Sequence, residues 1–261
     1  MEDNLQRFAG KTVIVTGSSS GIGEGIAKRF ASEGANVVLN SRSREDLEKV
    51  AADLDDDRTL IVEGDVGEVD FARTIITKTI ERFGALDVLV NNAGIGIPGP
   101  LVDAEDDDID SIFEINVKGL IRMCRAAIPH LVESGGSIVN TSSVSGLGGD
   151  WTMPLYCASK GAVSNFTRAL ALQLGEQGVR VNAVCPSMTR SDMTNGMADN
   201  QDLMDAFNRR MPLGAPAEPE EVAAVVAFLA SRDARHVTGV NLPVDGGVNA
   251  SNGQPNFGAF K

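Results

Sequence analysis

Residues 12–30, TVIVTGSSSGIGEGIAKRF, decide the fold of this chain. A short β-branched run leads through the glycine-rich turn TGSSSGIG (residues 16–23) into a segment whose apolar residues recur at helical spacing. Gly17 permits a tight turn, while Gly21 and Gly23 let a pyrophosphate approach the backbone at a helix N-terminus, which favours negative charge. The spacing is TGxxxGxG and not GxGxxG, so a plain strand-to-helix connection explains the turn alone equally well.

The same alternation of strand and helix patterns continues along the chain. The further strand-like runs are ANVVLN, TLIVEGDV, LDVLVNNAG, GSIVNTSS, VRVNAVCP and VNLPVDGG. They are almost continuously apolar, which is typical of parallel strands buried on both faces. Helical spacing fills the segments between them. The sequence therefore predicts an α/β fold, a doubly wound sheet of seven mostly parallel strands with helices on both faces. Residues 1–261 show no linker or repeat, so one domain is expected.

Composition and charge narrow the class of partner. The 261 residues carry a formal net charge of -13, which disfavours nucleic acid and anionic lipid. A solvated acidic face explains the densest runs, residues 53–58 and 103–110; adaptation to high salt is the alternative hypothesis. We expect no membrane span and no signal peptide. Three scattered cysteines and two distant histidines favour a cytoplasmic protein without a metal site.

A set of short motifs shares its order and spacing with one family. These are TGSSSGIG, NNAG (91–94), Asn116 in INVKG, NTSSVSG (140–146), YCASK (156–160), VCPS (184–187) and PVDGG (243–247). Over essentially its whole length the chain resembles the short-chain dehydrogenase/reductase family. The resemblance implies a Rossmann-type domain, a nicotinamide cofactor and a homotetramer. The residues it assigns to the cofactor are Gly17, Ser19, Ser20, Gly21, Ile22, Gly23, Ser41, Arg42, Asp65, Val66, Asn92, Ala93, Gly94, Tyr156, Lys160, Pro186, Ser187, Thr189 and Ser191.

The choice of cofactor depends on the end of the second strand, LNSRS. NAD-using relatives commonly carry an aspartate at the position of Ser41, where it binds the ribose 2′-hydroxyl. Here that carboxylate is absent, and Arg42 offers a guanidinium suited to a 2′-phosphate. Alternatively, Arg42 is an exposed loop cation and Ser43 only caps the next helix. We expect NADP to be favoured over NAD.

Four residues match the catalytic positions of the family. Tyr156 and Lys160 are four apart in a helical segment, so they share a face, and the ammonium favours the phenolate needed for proton transfer. By the resemblance, Lys160 also holds the nicotinamide ribose, Ser143 binds the substrate oxygen and Asn116 anchors a water. Taken singly, each is more often a structural residue; their joint presence favours catalysis.

The strand-six motif departs from the family. Pro186-Ser187 replaces the usual Pro-Gly, and serine adds a hydroxyl near the expected nicotinamide site while restricting the backbone. Thr189 and Ser191 match the positions that hold the carboxamide.

Substrate identity depends on more variable segments. Gly149, Trp151 and Met153 are candidate pocket residues, although Trp151 packs equally well at a subunit interface. Residues 188–212 are expected to form a lid. The tail, 248–261, is either frayed or anchored on a neighbouring subunit by Phe257 and Phe260.

Within the family, the motifs SVSGLGGDW, MTNG and ASNGQP look most like acetoin reductases and 2,3-butanediol dehydrogenases. We therefore expect an oxidoreductase that transfers a hydride between NADP(H) and a small hydroxyketone or vicinal diol. A sugar or polyol dehydrogenase, a 3-oxoacyl thioester reductase and a non-enzymatic NADP sensor or scaffold are the alternatives.

Overall fold

The structure contains one seven-stranded parallel sheet. The computed structural model describes residues 6–191, 194, 196 and 200–254. The strands lie in the order β3-β2-β1-β4-β5-β6-β7, and the predicted doubly wound sheet is confirmed. Their bounds are β1 (Thr12–Thr16), β2 (Asn36–Asn40), β3 (Thr59–Ile61), β4 (Val88–Asn91), β5 (Ser137–Thr141), β6 (Arg180–Pro186) and β7 (Asn241–Val244).

Helices cover both faces of this sheet. Ser43 caps α2 by accepting a hydrogen bond from the Asp46 N–H, as the sequence predicts. The helices are α1 (Gly21–Ser32), α2 (Arg44–Ala51), α3 (Phe71–Phe83), α4 (Asp106–Phe113), α5 (Leu120–Ser134), α6 (Pro154–Leu174), α7 (Gln201–Arg210) and α8 (Pro219–Ala230).

Strand β1 explains why the strands read as continuous apolar runs. All five of its residues are buried. Val13 and Val15 pack into a core shared with α1, α2 and α8, whereas Ile14 points into a second core shared with α3, α5 and α6. Because alternate residues face opposite sides of a strand, a sheet covered on both faces favours apolar side chains on both of its faces.

The helical spacing predicts one long helix between β4 and β5, over residues 109–134, and the structure differs from this prediction. The segment Glu114–Gly119 is a π-helix that separates α4 from α5. The apolar spacing of residues 109–134 does not reveal the extra residue in this turn, because the pattern remains helical on either side. π-Helical turns of this kind occur frequently at functional sites.

The strand order places a crevice above the centre of the sheet. After β1 the chain moves to β2 on one side, whereas β4 lies on the other side of β1. At such a reversal the loops leaving the carboxyl ends of the two strands separate, and ligands bind between them. Among the residues that the structure describes, no helix is both long and apolar enough to cross a membrane.

Candidate active site

A cavity of about 730 Å³ follows the carboxyl ends of the strands and reaches the face of α6 that carries Tyr156. This volume is typical of a small-molecule or cofactor site. It brings together nearly all the residues singled out from the sequence. Those lining it are Gly17, Ser19, Ser20, Gly21, Ile22, Gly23, Ser41, Arg42, Asp65, Val66, Asn92, Ala93, Gly94, Ser143, Met153, Tyr156, Lys160, Pro186, Ser187, Thr189 and Ser191.

The glycine-rich turn is shaped by contacts that side chains would prevent. Gly17 and Gly21 have φ values of +64° and +53°, a region that residues with a Cβ rarely adopt. A Cβ on Gly23 would lie 1.9 Å from the Gly17 carbonyl oxygen. The first turn of α1 therefore packs directly against the loop, and its N-terminal N–H groups face the cavity. These residues fit a dinucleotide pyrophosphate.

Hydrogen bonds between the loops after β1 and β4 hold the centre of the crevice. The Asn92 side-chain amide donates to the backbone oxygens of Thr16 and Gly17, at 3.2 and 3.0 Å. In return, the Thr16 hydroxyl accepts from the N–H groups of Asn92 and Ala93, at 3.0 and 3.1 Å. The motif TGxxxGxG is thus hydrogen-bonded to NNAG, and the two loops support each other.

The end of β2 presents Arg42 to the cavity. Its guanidinium lies 3.9 Å from the Asp65 carboxylate, and 69% of its side chain is exposed. Ser41 is turned into a local loop, where its hydroxyl donates to the Ser43 carbonyl at 3.1 Å and accepts from the Ser43 N–H at 3.2 Å. Arg42 therefore remains accessible to an anion, whereas the Ser41 hydroxyl is already engaged.

Ser143 and Tyr156 meet at the opposite end of the cavity. Ser143 follows β5, and its hydroxyl accepts a hydrogen bond from the Ser145 N–H at 3.1 Å. Tyr156 lies in the first turn of α6. Burial raises the pKa of the Tyr156 phenol, and a hydrogen bond with Ser143 partly offsets this shift. The two hydroxyl groups therefore address the same point in the cavity.

Lys160 is buried one turn along α6 from Tyr156. Its ammonium donates to the Thr141 carbonyl at 2.8 Å and lies 5.7 Å from the centroid of the Tyr156 ring. Burial lowers the pKa of Lys160 from 10.5 to about 8. Among the described residues no carboxylate lies within 4 Å of this ammonium. A buried cation with spare donor capacity faces the cavity.

Asn116 lies in the π-helix and does not line the cavity itself. Its side-chain oxygen accepts from the Ile95 N–H at 2.8 Å, and its amide donates to the Ile95 carbonyl at 2.9 Å and the Ser159 hydroxyl at 3.0 Å. A Cβ on Gly94 would lie 3.1 Å from the Asn116 oxygen and 3.3 Å from the Lys160 nitrogen. The glycine therefore leaves space between Asn116 and Lys160.

Comparison with known proteins agrees with this geometry. A family model described as enoyl-(acyl carrier protein) reductase matches residues 17–249. A solved short-chain dehydrogenase/reductase of unknown function from Caenorhabditis elegans, determined with its cofactor, has a TM-score of 0.87 and 35% identity over 95% of this chain and 98% of that one. The chain belongs to the short-chain dehydrogenase/reductase family. It is an oxidoreductase of the class that uses a nicotinamide dinucleotide.

Other members of the family show how wide its substrate range is. The chain is 49% identical to the meso-2,3-butanediol dehydrogenase of Serratia marcescens, over 95% of this chain and 98% of that protein. It is 39% identical to the glucose 1-dehydrogenase of Gluconobacter oxydans, over 93% of each. A solved glucose/ribitol dehydrogenase-type member from Brucella melitensis has a TM-score of 0.88 and 36% identity, over 93% of this chain and 98% of that one.

Pro186, the last residue of β6, lies beside Ser143. The Pro186 carbonyl lies 3.5 Å from the Ser143 hydroxyl. Thr189 pairs with Ala217, and its hydroxyl donates to the Ser187 carbonyl at 3.3 Å. Serine in place of the usual glycine is accommodated in this loop, because Ser187 has an ordinary backbone conformation without a positive φ.

The three candidate substrate residues have different positions. Met153 lines the cavity, whereas Gly149 and Trp151 do not. The Trp151 side chain is 89% exposed, and the loop turns at Thr152, which has a φ of +56°. Residues 192, 193, 195 and 197–199 of the expected lid, and Phe257 and Phe260 of the tail, lie outside the described residues.

Sequence reasoning missed several residues of the substrate half of the cavity. Its apolar wall includes Ile95, Pro98, Val144, Met188 and Phe207, and Ser145 and Asp150 add polar groups. These residues come from three different loops, which follow β4, β5 and β6, and from α7, so no local spacing connects them in the sequence. The position of Asp150 directly after the GLGG run was the available signal, since it brings a carboxylate within six residues of Tyr156.

Proposed function

We propose that this enzyme transfers a hydride between NADP(H) and a small hydroxyketone or vicinal diol. The observation that carries the proposal is the meeting of Ser143, Tyr156 and Lys160 at one end of a cavity whose other end carries the glycine-rich turn. The 49% identity to a protein named meso-2,3-butanediol dehydrogenase supports the substrate class. The apolar wall of the substrate half suits short alkyl groups.

The side chains at the reaction centre move and hold one proton. When bound, the nicotinamide supplies hydride to the carbonyl carbon or accepts it from the alcohol. In reduction the Tyr156 Oη donates its proton to the carbonyl oxygen, and in oxidation it removes that proton. Ser143 Oγ donates a hydrogen bond to the same oxygen and stabilises its developing charge.

Lys160 and Asn116 support this proton transfer. The Lys160 ammonium favours the phenolate of Tyr156, and its spare donors suit the hydroxyls of the nicotinamide ribose. Asn116 holds the loop at Ile95 through two hydrogen bonds. The space that Gly94 leaves between Asn116 and Lys160 suits a water through which Lys160 exchanges protons with solvent.

The preference for NADP rests on Arg42. A 2′-phosphate at the end of β2 would find an exposed guanidinium whose present carboxylate neighbour is 3.9 Å away. A charge-assisted hydrogen bond to phosphate is stronger than this loose pair. No aspartate occupies position 41 to bind a free 2′-hydroxyl and repel a phosphate.

The proposal also covers the location of the enzyme, its oligomeric state, its lid and its tail. We place the enzyme in the cytoplasm as a homotetramer, with residues 188–212 as a lid and 248–261 as a tail across a neighbouring subunit. Phe207 of α7 lines the cavity, which supports the lid. The exposed side chains of Trp151 and Leu172, 89% and 85% accessible, supply apolar surface for subunit contact.

The test is a panel of substrates followed by absorbance of the reduced nicotinamide, with both cofactors. We expect acetoin and 2,3-butanediol to give the highest kcat/KM with NADP(H). Glucose or ribitol as the best substrate would favour the sugar alternative, and a 3-oxoacyl thioester would favour the reductase alternative. Tight NADPH binding without turnover of any carbonyl would support a sensor.

A further inference from the structure

Asp150 brings a carboxylate into the substrate half of the cavity. Among the described residues that line the cavity, the carboxylates are Asp65 and Asp150. Asp65 follows β3 and Asp150 follows β5, four places apart in the sheet. Strands are separated by about 4.8 Å, so the two groups lie on the order of 19 Å apart. Only Asp150 is near the reacting atoms.

Two contacts fix the position of this carboxylate. The Ser145 hydroxyl donates to Asp150 Oδ2 at 2.9 Å, and the Asp150 N–H donates to the Cys157 sulfur at 3.3 Å. Ser145 lies two residues after Ser143, and Cys157 follows Tyr156. Both anchors therefore lie within two residues of Ser143 or Tyr156 in the chain, and the carboxylate keeps a set position relative to them.

Asp150 is exposed and shares its cavity with several apolar side chains. Those that line the cavity are Ile95, Pro98, Val144, Met153, Met188 and Phe207. Each oxygen of the carboxylate can accept more than one hydrogen bond. Ser145 supplies one donor, while Ser143 and Tyr156 are directed at the reacting oxygen. A substrate hydroxyl next to the reacting carbon would supply another.

We propose that Asp150 is the specificity residue that accepts a hydrogen bond from the second hydroxyl of the substrate, with Ser145 as its positioning residue. The inference deepens the proposed function and rests on it. The diol gains a hydrogen bond to a charged acceptor that the monoalcohol cannot make, and bonds to charged groups contribute about 1.5–3 kcal/mol. The enzyme therefore prefers a vicinal diol to the monoalcohol of the same carbon skeleton.

The kinetic test compares meso-2,3-butanediol with 2-butanol, which differ by one hydroxyl. In Asp150→Leu the ratio of kcat/KM for the diol to that for the monoalcohol should fall about tenfold to a hundredfold. Asp150→Asn keeps an acceptor oxygen and should lose less, and Ser145→Ala should lower the ratio in the same direction. Glu176→Gln changes an exposed acid just beyond the far end of α6, away from Tyr156 and outside the cavity lining; it is the matched control and should leave the ratio unchanged.

A second measurement requires no substrate. Tyr156 is the chain's single tyrosine, so its phenolate can be titrated by ultraviolet absorbance. The negative charge of Asp150 contributes to the raised pKa of Tyr156. Asp150→Asn should therefore shift the titration to lower pH, while Glu176→Gln should not. An unchanged titration would show that the carboxylate does not face the reaction centre and would overturn the inference.

The two proposals fail in different ways. If the unmodified enzyme oxidises other alcohols but not the diol, the proposed substrate class is wrong. If it oxidises the diol and the Asp150 variants keep the unmodified ratio, the role of Asp150 is wrong and the substrate class stands. Retained NADPH binding and an unchanged melting temperature would show that a variant has folded.

Discussion

At the scale of single residues, the proposed role of Tyr156 is to transfer the proton, while most of the proposed cofactor contacts come from other residues. Replacing it with phenylalanine removes the hydroxyl while keeping the ring that packs near Lys160. We expect Tyr156→Phe to lower kcat about 100- to 10,000-fold, which is the usual contribution of a positioned acid or base. NADPH binding, measured by fluorescence, should survive. A near-normal kcat would assign the proton transfer to another group.

Arg42 supports a prediction about cofactor choice. The unmodified enzyme should use NADP(H) at least about tenfold better than NAD(H), as judged by kcat/KM. Arg42→Ala should erase this margin mainly through KM, because the phosphate lies far from the hydride and its binding is shared by ground and transition states. Adding Ser41→Asp should reverse the preference.

Arg44, two residues further along the chain, is the control for this prediction. Arg44 is exposed and pairs with Glu48 at 2.8 Å along α2, and it does not line the cavity. Arg44→Ala should leave the cofactor preference unchanged. If the unmodified enzyme prefers NAD, Arg42 is a solvated loop cation and the interpretation of LNSRS is wrong. Both experiments belong at the same ionic strength, since salt weakens an exposed ion pair.

At the scale of secondary-structure elements, Arg180 joins the start of β6 to the end of α8. Its guanidinium donates to the carbonyls of Ala230 and Ser231, at 2.8 and 3.0 Å, and to the Leu229 carbonyl at 2.5 Å. The last carbonyls of a helix have no partner within the helix, and a cation complements the negative end of its dipole. Arg180 therefore completes the C-terminus of α8.

This capping role predicts a loss of stability away from the catalytic site. Arg180→Met should lower the free energy of unfolding by about 2 kcal/mol, which corresponds to a fall in melting temperature of about 4–8 °C. KM for both substrates should stay unchanged. Arg232→Ala is the comparison, because Arg232 is exposed and the described residues place no carboxylate within 4 Å of it. An equal loss in both variants would refute the capping role.

At the scale of the whole molecule, the net charge of -13 opposes the folded state by self-repulsion. Added KCl screens this repulsion most strongly as the Debye length falls from about 30 Å to about 8 Å. We expect the melting temperature to rise over this range and then level off. A melting temperature that continues to rise into multimolar KCl would support adaptation to high salt. A melting temperature that falls when the first KCl is added would contradict the self-repulsion.

The sequence predicted those features of the structure that produce a local pattern of residues. The buried run of β1 was sufficient to predict the sheet. The four-residue spacing of Tyr156 and Lys160 was sufficient to predict that they share a face of α6, where both line the cavity. The π-helix around Asn116 was not visible, because an added residue leaves the flanking apolar spacing intact. The exposure of Trp151 and the positive φ of the neighbouring Thr152 were not visible either, because no residue type in that loop signals them.

Burial of the Lys160 ammonium lowers the free energy of unfolding of the protein. The pKa of Lys160 falls from 10.5 to about 8 on folding, so the unfolded chain holds the proton more tightly between those values. The cost is fully present below about pH 8 and disappears as the pH rises toward 10.5. Lys160→Met should therefore melt at a higher temperature than the unmodified protein near neutral pH, with a gap that narrows in alkali. Bound NADPH should raise the melting temperature of the lysine form more than that of the methionine form. A side chain that is proposed to serve catalysis thus lowers the stability of the protein without ligand.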